Sequence, residues 1–144
     1  MKNSLLSDDE FLAAFESATL ADFHHADHIR AAWIYLQRIP FPEASRRMVE
    51  SLRNFAAVKG AHMKYHETIT QAWMLLVRGA LEQDRQAGHA PEGFKTFAAA
   101  HPKLLDARSL DRFYSSQLLA SPAARTGFVA PDLALLPVST IRTS

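Results

Sequence analysis

The chain contains no cysteine. That excludes disulfide staples, thiolate metal sites and a cysteine nucleophile, and it suits a reducing compartment. Neither sign of charge is in excess: 16 Lys and Arg against 15 Asp and Glu leave a net charge of +1. No overall field therefore draws the molecule to nucleic acid or to an anionic membrane. No apolar run approaches the ~20 residues that cross a bilayer. The first ten residues, ending in Asp8-Asp9-Glu10, lack the apolar stretch of a secretory signal. Alternating strand patterns, internal repeats and low-complexity tracts are also missing. The expectation is a cytoplasmic protein with neither nucleic acid nor membrane as a partner. At 144 residues, 48% of them hydrophobic, the chain has material for one core, and a single helical domain over 1–144 is expected.

The chain does carry helical periodicity. Ser7 followed by Glu10 reads as a capping box opening a helix from Asp8 to about Ala18, with Phe11, Leu12 and Phe15 inward. From His25 to Ile39, Ile29, Ala32, Trp33 and Leu36 fall on one stripe that stops at Pro40. Pro42 suits the first turn of a third helix with Ala44, Met48, Leu52, Phe55 and Ala56 inward and Gly60 as terminator. The longest pattern, from His62 or Tyr65 to Gln86, places Ile69, Trp73, Leu76, Val77 and Ala80 together. A shorter pattern runs from Phe94 to Ala99 after Gly88 and Pro91, and another from Leu110 to Leu118 behind Ser109. The predicted fold is all-α: about four main helices plus short C-terminal helices, forming a helical body over 1–118, then an irregular, extended arm over 119–144. Such an arm either wraps its own domain or joins a partner, which keeps a homodimer open.

Five of the seven histidines lie in two short segments, Phe23-His24-His25-Ala26-Asp27-His28 and His62-Met63-Lys64-Tyr65-His66-Glu67. Helical projection turns His25 and His28 inward on the second helix, and His66, with His62, onto the apolar stripe of the fourth. If the segments meet, His25, His28 and His66, with His62 or Glu67 as a fourth ligand, form a nitrogen-rich site suited to one divalent transition metal, zinc or iron foremost. Asp27 and Glu67 would then orient imidazoles or act as a base on metal-bound water. The ExxH pairs of di-iron bundles are absent, so one metal is expected rather than two. Lys64, Tyr65, Thr70 and Arg30 are candidate substrate contacts. Arg30, Arg112 and Arg125 are candidates for clamping an anion, a surface salt bridge being the ordinary alternative. A histidine near a helix start also has a plain structural use, as a hydrogen-bonded residue in a half-polar position.

FHHADHIRAAWIYL at Phe23–Leu36, KYHETIT at Lys64–Thr70 and LLDARSLDRFYSSQLLASPAARTGFVAPD at Leu104–Asp132 resemble an uncharacterised group of small bacterial all-helical proteins marked by FHHxDHxRxAW and KYHETIT motifs. The resemblance covers most of the chain and implies a bacterial source, but little chemistry. From the residues, the leading expectation is a protein acting on a small molecule through a histidine-held metal, by hydrolysis or oxygen-dependent chemistry. The alternatives are a noncatalytic ligand-binding or assembly module with structural histidines, and a metal-free isomerase or cyclase using His66 and His25 as acid and base.

Overall fold

The structure is a computed structural model that describes residues 3–89 and 92–137. Every regular element among them is helical, and no strand occurs. No helix among them is long and apolar enough to cross a membrane. Contacts between Cα atoms divide the chain into two compact units, Met1–His66 and Glu67–Ser144, a division that length and composition do not reveal.

The first unit contains α1 (Asp8–Glu16), α2 (His25–Arg38) and α3 (Phe41–Val58). The Ser7–Glu10 capping box is formed in both directions. Helix α1 ends at Glu16, two residues before the expected Ala18. Ala18 takes φ 60°, and the amide of Thr19 reaches back to the Ala14 carbonyl at 2.8 Å, a Schellman closure without glycine. Helix α2 stops at Arg38 because Ile39, preceding Pro40, is extended. Phe11, Phe15, Ile29, Trp33, Met48 and Phe55 are buried. The Phe15 ring stacks on Phe23 at 4.6 Å, and Phe23 meets Phe55 at 5.3 Å.

Polar anchors surround this apolar center. The Tyr35 hydroxyl donates to Glu16 Oε2 at 2.6 Å, and the Arg47 guanidinium donates to the same oxygen at 3.1 Å. Burial, with the Glu16 carboxylate next in effect, raises the Tyr35 hydroxyl well above the usual phenol range. After α3, Gly60 at φ 72° closes the helix, as its position in the sequence implies.

The second unit contains α4 (Glu67–Gln86), α5 (Phe94–Ala100), α6 (Ser116–Leu119) and α7 (Pro122–Thr126), with 3-10 turns at Pro102–Leu105 and Ala107–Arg112. In place of the expected helix over Leu110–Leu118 followed only by irregular chain, a 3-10 turn ends at Arg112 and two short helices, α6 and α7, follow. Ser115 and Ser121, rather than Ser109, act as caps, accepting from the amides of Leu118 and Ala124. Pro122 then sits in the first turn of α7, where its missing N–H costs nothing.

The described part of the arm is stitched to its own unit. Thr68 is completely buried; its Oγ1 donates to the Gly127 carbonyl at 2.8 Å and accepts from the Val129 amide at 3.1 Å. The Tyr114 hydroxyl donates to the Val129 carbonyl at 2.7 Å, and burial, then Asp132, pushes its pKa up to about 12. Asp132 accepts from the Ser115 amide and hydroxyl. Pro137 lies so close to Gly79 that a Cβ there would sit 2.9 Å from the proline Cγ. That contact explains a glycine inside a long helix. The expected arm beyond 137, and Pro91, lie outside the described residues.

Candidate functional site

All five histidines of the two segments belong to the first unit, with Glu67 opening the second, and each segment is shaped by local backbone demands. Helix α2 begins at His25, and the Asp27 carboxylate accepts from the His24 amide at 2.9 Å. Asp27, a candidate base, thus caps its own helix. The second segment departs from expectation. His62–Lys64 is a 3-10 turn, Tyr65 is extended with ψ 139°, and α4 starts only at Glu67. His62 and His66 therefore precede the helix on whose stripe periodicity places them, and the 3.6-residue period does not apply to them.

The rings of His25 and His28 come together, their centroids 6.3 Å apart and edge-on. His28 is 9% exposed, and its Nε2 is buried without a hydrogen-bond partner. Burial, followed by the charge of His25, lowers its pKa to about 3, so the ring is neutral at physiological pH. His66 is buried at 8% exposure, whereas His62 is exposed. Among the described residues, no three His, Asp or Glu side chains are grouped so as to hold a metal ion. Four-nitrogen coordination by His25, His28, His62 and His66 thus has no assembled counterpart.

The remaining candidates have structural partners or face solvent. The Arg30 guanidinium donates to the Asn3 and Leu6 carbonyls and to Asp8, and lies 4.5 Å above the Phe11 ring. It ties the chain entering α1 to α2. Lys64 is exposed, and Tyr65 is covered by the Arg53 guanidinium at 5.2 Å. In the second unit Glu67 is buried and accepts from Gln71 Nε2 at 2.8 Å, and Thr70 is buried at 2% exposure.

A different site lies wholly within the second unit. A cavity of about 470 Å³ has Trp73, Leu76, Leu104 and Phe113 among its apolar walls. Its polar lining includes Gln83, His101, Lys103 and Arg112. The wall is held by short-range bonds. Pro102 opens a 3-10 turn, and the Ser109 hydroxyl donates to the Lys103 carbonyl at 2.8 Å.

His101 ends α5, where its amide reaches the Phe97 carbonyl and its ring packs on Phe97 with centroids 4.9 Å apart. The Asp84 carboxylate on α4 holds His101 Nε2 through both oxygens, at 2.9 and 3.0 Å. An ionised carboxylate only accepts, so Nε2 carries a hydrogen aimed at Asp84, and in the neutral tautomer that leaves Nδ1 as an acceptor. An imidazole fixed in this way supports a directed hydrogen bond to a ligand, and equally general-base chemistry.

In the sequence His101 sits beside a loop breaker with no role of its own, and Asp84 does not stand out. The two are separated by 17 positions, with α5 between them, and share no helix face, so no spacing rule links them. The one available signal was a histidine directly before a proline at a helix end. No protein-family model matches the chain, and no curated protein or solved structure is significantly similar to it.

Proposed function

We propose that this protein binds a small molecule noncatalytically, and that the ligand occupies the second unit's cavity. The observation that carries this reading is the cavity itself: about 470 Å³ with apolar walls and an imidazole oriented by a carboxylate. Ligand pockets span roughly 300–1,000 Å³ and combine apolar lining with a few placed polar groups. In this reading the histidines of the first unit are structural.

The chain's two tryptophans, Trp33 and Trp73, supply a direct test. In a Trp33→Phe variant, fluorescence reports only Trp73, which lines the cavity. Saturable change on titration with phenylbutyl compounds, lost when Ala80→Met fills the space from α4, supports the reading. No saturable response to any of them overturns it.

One observation favors a second reading, in which the first unit takes up a divalent transition metal, zinc or iron: the buried Nε2 of His28 has no partner and His25 lies beside it. Elemental analysis of untagged protein tests this. One equivalent of metal surviving dialysis supports it; metal-free protein whose melting midpoint ignores added zinc overturns it.

A further inference from the structure

We infer that the cavity's ligand is an amphipathic anion: an apolar ring or short chain ending in one carboxylate, with the carboxylate held by Lys103 and Arg112. This rests on the cavity being the ligand site, as proposed above, and follows from its charge inventory. The described residues lining it include two cations and a histidine but no aspartate or glutamate. Elsewhere in the chain, exposed arginines find acidic neighbors: Arg38 meets Asp9, Arg46 meets Glu43, Arg108 meets Asp106. Lys103 and Arg112 have no acidic partner among the described residues, although the chain as a whole is balanced to within one charge.

Both cations are exposed, whereas Trp73 is 2% exposed. The charged end of the site is therefore its outer end, and the apolar end is deep. Arg112 is braced against the Phe113 ring at 5.7 Å, which limits the freedom lost on gripping a planar carboxylate through paired N–H donors. Asp84, the nearest acid to His101, is already committed to that ring. In the neutral tautomer His101 Nδ1 is an acceptor for a hydroxyl or N–H on the ligand body.

The test compares three probes of one shape, 4-phenylbutanoate, 4-phenylbutanamide and 4-phenylbutylamine, titrated at low salt into Trp33→Phe protein. The carboxylate should bind about tenfold or more tighter than the amide, as charge-assisted hydrogen bonds predict. The amine should be weakest. Replacing both cations, Lys103→Gln with Arg112→Gln, should erase the carboxylate's advantage while the amide keeps its affinity. Since both side chains are exposed, an unchanged melting midpoint verifies the fold of that variant. Equal binding of amide and carboxylate, or an advantage that survives both substitutions, overturns the inference and leaves the cavity as a ligand site. Failure of all three probes to bind sinks the underlying reading as well.

Discussion

Each unit seats a histidine against a phenylalanine ring, and the two are treated in opposite ways. His28 lies against aromatic rings, its centroid 6.4 Å from Phe23, with an unpartnered Nε2 and a pKa lowered to about 3. His101 is seated on Phe97 but bonded through Nε2 by Asp84, and its side chain stays 16% exposed at the cavity wall. Desolvation without a partner makes a histidine a cost that the surrounding packing must offset. A carboxylate partner and an open face make it a tool. On the proposed reading, the more exposed imidazole is the one that meets a ligand.

Four experiments press on this contrast, beginning with the largest effect. The folded-state pKa of His28 lies below its unfolded value of 6.5. Between the two, the unfolded chain takes up a proton that the native chain refuses, so stability is lost as pH falls through that window. Urea unfolding of the wild type and of His28→Leu should give a variant equal or superior at pH 7. It should gain a further advantage of roughly 2–3 kcal/mol near pH 4.5. Parallel curves for the two proteins at both pH values would mean that His28 is not held neutral.

Thr68→Val keeps the shape of the side chain but strands the Gly127 carbonyl and the Val129 amide. A loss of about 2–4 kcal/mol in chemical denaturation is expected, because those bonds fasten the arm. A smaller effect follows for the His101–Asp84 pair. A double-mutant cycle with His101→Gln and Asp84→Asn should return a coupling of about 1 kcal/mol, reduced by partial exposure. Additive losses would show the two side chains to be independent. Least affected should be Asp27→Ala, which removes one cap bond at the start of α2 and costs about 0.5–1 kcal/mol of thermal stability. A loss several times larger would show Asp27 to be doing more than capping.

How much of this was legible beforehand depends on the range of the forces involved. Capping at Ser7, the stop at Pro40, the closure at Gly60 and the buried stripe of Ile29, Ala32 and Trp33 are set within a few residues, and periodicity reads them directly. The histidine segments misled because period arguments assume an unbroken helix, and the 3-10 turn at His62–Lys64 with an extended Tyr65 breaks it. Arg30 was a candidate ligand contact in sequence. Its bonds to Asn3, Leu6 and Asp8 depend on a return of the chain that no local pattern encodes. Likewise the cavity is assembled from α4, two 3-10 turns and the arm's Pro137, and only tertiary packing joins them. Arg112 is a candidate anion clamp in the sequence, but the company it keeps with Lys103 and His101 is visible only in the fold.

The central claim is that a ligand engages the second unit's cavity and not the histidines of the first. Amide chemical shifts of isotope-labelled protein, followed during titration with 4-phenylbutanoate, address both places at once. Shifts clustered at Trp73, Gly79, His101, Lys103 and Arg112, with His24–His28 and His62–His66 unmoved, are the predicted result. Shifts centered on those histidine segments, or no saturable shift anywhere, would contradict it.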